Sequence, residues 1–99
     1  MVDQLNRAAD RAVTDRLLRA AGQGNRTAFA GLVDRTARVV FGCLHGALAD
    51  PAEAGRAAEA VYIRLWRIAP CLAVGAGSAH VQLETLVRGE LLRRRTGTG

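Results

Sequence analysis

At 99 residues the chain has room for one domain with a core large enough to fold alone, and none for a second. Hydrophobic residues make up 49% but aromatics only 4%, so the interior must be mostly Ala, Leu and Val, which argues against a sandwich or barrel and for closely packed helices. A net charge of +5, with no apolar run near the roughly 18 residues of a membrane span and no signal-peptide core, points to a cytoplasmic protein with no membrane partner.

Taken in chain order, the pattern predicts an all-α, compact bundle of about four helices. The first runs from Asp3 to Ala21 and stops at the Gly22–Gly24 punctuation, with Gly22 expected just past its end. The second begins at Asn25 as N-cap and turns Phe29, Leu32, Val33, Thr36, Val40, Cys43, Leu44 and Ala47 inward. Gly31, Gly42 and Gly46 weaken that helix and are expected to admit a close neighbour.

The third helix has the clearest start. Asp50 caps, Pro51 takes the first helical position, and Glu53 is placed to reach back to the cap amide. Ala54, Ala57, Ala58, Val61, Leu65 and Ile68 face inward, and the helix ends before Pro70. Residues 70–77 form a glycine-containing loop. Ser78 caps a fourth helix that buries Leu83, Leu86, Val87 and Leu91 and leaves through Arg93, Arg94 and Arg95. Residues 1–95 therefore read as one helical domain, with 96–99 as a tail or the start of a linker.

Every basic residue is arginine, and the arginines are unevenly matched by acids. Residues 1–55 carry seven against six acids, whereas 56–99 carry seven against three. A basic second half suits a polyanion, and nucleic acid is the partner it suggests. Cys43, Cys71, His45 and His80 do not make a metal centre, because Cys43 and His45 lie about 200° apart on a helix. One buried cysteine and two ordinary histidines are expected instead. Nothing in the chain has the pattern of a catalytic group or a cofactor cradle, so neither an enzyme nor a cofactor is expected.

The stretch Asp50–Arg67 resembles the central helix of region 2 in extracytoplasmic-function (ECF) sigma factors, the bacterial promoter-recognition subunits of RNA polymerase. The matching residues are Asp50, Pro51, Ala52, Glu53, Ala54, Val61, Tyr62 (usually Phe), Arg64, Leu65, Trp66 and Arg67. Leu17, Leu18, Ala21, Gly24, Asn25, Ala28, Phe29 and Leu32 resemble the family's first segment. Gly77-Ser78, the run Thr85–Arg88 and Arg93–Arg95 fall where its promoter-reading helix and basic tail belong. Such factors carry a further domain, which reads the −35 element, beyond the half that this chain resembles.

The resemblance implies a function in transcription initiation, with core RNA polymerase and the non-template single strand of the −10 promoter element as partners. An anti-sigma regulator is a further partner it suggests. Arg56, Glu59 and Ile63 stand at polymerase-binding positions. Arg64, Arg67, Arg88, Arg93, Arg94 and Arg95 could track phosphates, with Ser78 and His80 at the start of the promoter-reading helix. Tyr62 and Trp66, four residues apart, could offer an aromatic surface to a base, against the plainer role of packing at the core edge.

The chain departs from the family pattern where Glu-Asp-Leu-Val-Gln-Glu is replaced by Gly55, Arg56, Ala57, Ala58, Glu59 and Ala60. Gly89 also stands where an Asn usually contacts DNA. These changes keep a second reading open, in which a sigma-like scaffold has lost polymerase binding and become a protein-interaction module that binds a regulator or another copy of itself.

Overall fold

The apolar spacing is realised as helices throughout. The computed structural model describes residues 2–72 and 78–96, with side chains described for 10–72 and 78–95. These residues form α1 (Val2–Gly22), α2 (Arg26–Leu48), α3 (Pro51–Ile68), a 3₁₀ turn (Ala69–Cys71) and α4 (Ala79–Thr96), and they include no strand. No helix among them is long and apolar enough to cross a membrane.

Helix α2 is the hub, packing on α1, α3 and α4. Its buried residues Ala28, Leu32, Thr36, Val40 and Leu44 recur every fourth position. Each such step overshoots a full turn by about 40°, so the stripe winds round the helix and meets different partners along its length. Leu48 continues this row against the core, whereas Cys43 and Ala47, expected to face inward, are exposed. Cys71 is exposed as well, so the expected buried cysteine does not exist. On α3, Ala54, Ala57, Val61 and Leu65 are buried as the spacing predicts.

The helix ends correct several local expectations. Gly22 is the last residue of α1, and the left-handed position belongs to Gly24 at φ 94°. Asn25 N donates to Ala20 O at 3.1 Å and Gly24 N to Ala21 O at 2.9 Å, the paired bonds of a Schellman end. Gly22 instead lies against the 3₁₀ turn, where a Cβ would stand 2.8 Å from Ala69 O. Gly42 and Gly46 have open space around them and admit no neighbour, and Gly31 meets only Leu17 at ordinary contact distance.

The expected N-caps form. Asn25 accepts from Ala28 N, Asp50 from Ala52 N, and Ser78 from Val81 N. Glu53 does not close a capping box. The Asp50 amide donates to Leu48 O at 2.7 Å, and Glu53 faces Arg94 at 3.5 Å. That amide bond spans two residues and places Ala49 at φ 66°, ψ −37°, near the strained γ-turn. A Cβ is unfavourable there, so Ala49→Gly should raise the unfolding free energy by about 0.5–1 kcal/mol in urea titration. A loss of stability would show that the turn tolerates its alanine without strain.

Candidate nucleic-acid interface

Helices α3 and α4 pack together, and the arginines expected to meet phosphate lie along this pair. They are not equivalent. Arg64 from α3 and Arg93 and Arg94 from α4 converge on Glu90, whose side chain is only 8% exposed. Arg94 Nε donates to Glu90 Oε2 at 3.0 Å, while Arg93 Nη2 and Arg64 Nε stand 3.5 and 3.8 Å from Oε1. Glu53 also pairs with Arg94, so two acids cross-link the helices.

Nothing in the helical periodicity marks Glu90 as buried, because an acid on an apolar face breaks the pattern. Its signal was the spacing to Arg93 and Arg94, one turn further along α4. The remaining arginines of the pair lie outside this cluster. Arg67 and Arg95 are exposed, and Arg88 pairs with Glu84 at 2.6 Å on the solvent side of α4. Such a surface pair adds little to stability and leaves the guanidinium able to exchange partners.

The start of α4 is fixed from two sides. Ser78 Oγ accepts from Val81 N at 3.2 Å, so this expected DNA contact is engaged as a cap. Asp15 of α1 accepts from Ala79 N at 2.7 Å, placing a carboxylate where the helix dipole favours one. His80 is half-buried and lines a groove of about 450 Å³ between α2 and α4 with Val39, Cys43, Leu83 and Val87. The glycine-containing loop expected at residues 70–77 falls largely on 73–77, which lie outside the described residues.

The aromatic residues pack rather than project. Tyr62 is 9% exposed, so it does not form the surface suggested by its spacing to Trp66. Phe29 of α2 meets Tyr62 edge-on at 6.4 Å and Trp66 at 5.1 Å, joining α2 to α3. The Thr36 hydroxyl donates its one hydrogen to Leu32 O at 2.8 Å, so the Tyr62 hydroxyl donates to Thr36 Oγ1 at 2.6 Å. Half-buried Trp66 remains available at the rim of a shallow groove lined by Phe29, Val33, Glu59 and Ile63. Two expected polymerase-binding residues, Glu59 and Ile63, thus share one surface, and exposed Arg56 lies about one turn before Glu59 on α3.

Burial raises the Tyr62 phenol above its ordinary value of 10.0, and the Thr36 hydroxyl, which can turn to donate to a phenolate, offsets part of the rise. The folded state therefore holds this proton more tightly than the unfolded chain does. The resulting stability is fully present below the unfolded value and is lost as pH rises through the higher folded one. Tyr62→Phe should flatten the alkaline fall of Tm while costing no more than about 1.5 kcal/mol at neutral pH. An unchanged alkaline limb would assign that transition to other groups.

Comparison with known proteins completes the picture. Eighty residues, 81% of the chain, align at 34% identity with the ECF RNA polymerase sigma factor SigK of Mycobacterium sp. (strain KMS) and cover 42% of that protein. The chain is a distant homologue of the ECF sigma factors. A protein of the same name from Mycolicibacterium vanbaalenii matches at 34% over 80 residues and is covered to 41%. The chain therefore spans less than half the length of these curated relatives. No family model and no solved structure matches it.

For an ECF sigma relative, the six substituted positions of α3 divide into two kinds. Ala57 is buried and Ala58 half-buried, so replacing Leu and Val there removes core volume. Gly55, Arg56 and Glu59 are exposed and, with half-buried Ala60 in place of a Glu, change the outer surface instead. Gly89 stands 3.5 Å, measured from where a Cβ would be, from the Arg93 guanidinium, so the position usually held by Asn is overlaid by an arginine.

Proposed function

We propose that this chain serves transcription initiation as a sigma region 2 module acting in the cytoplasm. Residues 1–95 form the module and 96–99 its tail or the start of a linker. Its α3 surface around Arg56, Glu59 and Ile63 meets core RNA polymerase. The arginines of α3 and α4 meet the non-template strand of the −10 element, with Arg67, Arg88 and Arg95 the most accessible to phosphate.

The observation that carries this reading is the 80-residue match to proteins named as ECF RNA polymerase sigma factors. Its chemistry needs no cofactor and no catalytic group, because strand capture is a binding event. Fluorescence anisotropy with a −10-like single strand should give binding that weakens steeply with salt. Arg88→Ala should weaken it across all sequences and lower the salt slope by roughly one unit or less. No association with the single strand or with core polymerase at low salt would contradict the proposal.

One observation favours a second reading, a module that binds a regulator. The Phe29–Trp66 groove is apolar, and Arg56 near it reverses the charge usual in the family, which weakens any attraction to a basic polymerase surface. Co-purification of a stable complex lacking polymerase would support this reading. Recovery of polymerase binding in an Arg56→Asp, Glu59→Gln, Ala60→Glu variant would show that those positions changed the partner.

A further inference from the structure

The cluster around Glu90 has the form of an anion site already filled by the protein. Three arginines from two helices surround one carboxylate, and a second acid, Glu53, shares Arg94. Three positive charges against two negative ones leave the cluster at +1, although it supplies half of the six arginines expected to meet phosphate. Arg64 and Arg93 nevertheless keep 44% and 45% of their side chains exposed, and Arg94 keeps 23%.

We infer that Glu90 is an intramolecular competitor for nucleic-acid phosphate, one that sets how strongly the α3–α4 surface holds a polyanion and how steeply that hold depends on salt. The inference rests on reading these arginines as phosphate contacts. A guanidinium paired with a poorly solvated carboxylate has its charge balanced internally, so it neutralises an arriving phosphate less fully and releases less of the cation atmosphere condensed on the polyanion. Phosphate must displace the carboxylate or take the donors that it leaves over. Glu90 cannot occupy them all, because each guanidinium has five N–H groups and one carboxylate accepts only about four bonds.

The carboxylate also lies well within a Debye length of any phosphate held there, so it lowers the local positive potential. Its effect is independent of sequence, and it therefore restrains indiscriminate binding in particular. Base reading elsewhere on the surface then decides a larger share of the total.

The test uses the full chain with Glu90→Gln, titrated with a labelled single-stranded oligonucleotide and separately with inorganic polyphosphate. Both should bind about five- to tenfold tighter at low salt, with a log–log salt slope steeper by roughly 0.7 for each arginine released. Glu84→Gln adds the same unit of net charge but frees only the exposed Arg88. If the two variants tighten binding equally and with equal slopes, overall charge explains the effect and the inference is overturned. Unchanged affinity and slope in Glu90→Gln would overturn it too.

If the parent chain ignores the oligonucleotide, the nucleic-acid reading falls, while the polyphosphate titration still decides the role of Glu90. Should Glu90→Gln melt below the assay temperature, the ¹⁵N-labelled parent chain decides instead. Saturating polyphosphate should shift the Nε–H signals of Arg64 and Arg94, and signals that stay in place would refute the competition.

Discussion

Leu65→Ala should lower the unfolding free energy by about 3 kcal/mol and Tm by more than about 10 °C. Leu65 is fully buried in α3, which packs on both α2 and α4. Ala69, one turn further along and in the same cluster, is too small to refill the space. The loss is a large part of the roughly 5–15 kcal/mol expected of a chain this size. Leu92→Ala, at a leucine 62% exposed, should stay within about 0.5 kcal/mol. Calorimetry on the two variants separates burial from residue type, and comparable Tm shifts would refute this account of the core.

Gly22→Ala should also destabilise, by about 1–3 kcal/mol, although alanine is the better helix former. The new Cβ would lie 2.8 Å from Ala69 O and 3.2 Å from Ala69 C, and backbone atoms cannot rotate aside as a side chain can. The same change at Gly46, which has open space around it, should instead stabilise by up to about 1 kcal/mol. One substitution with opposite signs at two helical glycines is a direct check on the close approach of α1 to the 3₁₀ turn. Stabilisation at both positions would show that this approach relaxes freely.

The helices and their starts were legible in the sequence because they depend on local rules. Apolar residues at helical spacing, Asn25 as a cap and the Asp50-Pro51 start each act within a turn of chain. What the sequence left unread depends on which surface arrives from elsewhere. Gly22 and Gly24 look alike as helix terminators, and only the proximity of Ala69 separates a packing glycine from a turn glycine.

Glu53 has two possible partners within reach, the cap amide and Arg94, and the second becomes visible only once α4 lies beside α3. Cys43 and Ala47 sit at the margin of the apolar arc of α2, where the four-residue row through Leu44 and Leu48 carries the contact instead. At the candidate site, the arginine-rich second half of the chain was visible in the sequence as a region. It did not reveal that Arg64, Arg93 and Arg94 are tied to an acid, because Glu90 violates the pattern by which buried positions are recognised. Tyr62 and Trp66 share a helical side, yet Phe29 draws the first inward and leaves the second at the rim.

The hydrogen bond from Ala79 N to Asp15 spans 64 positions of the chain and has a bearing on how the protein is made. On the ribosome, α1, α2 and α3 all emerge before the segment that Asp15 must hold. A nascent chain at that stage carries a carboxylate without its amide and an apolar surface that Leu83 has yet to cover. Closure therefore waits until α4 has emerged, and until then the half-built bundle is the species most exposed to chaperones and proteases.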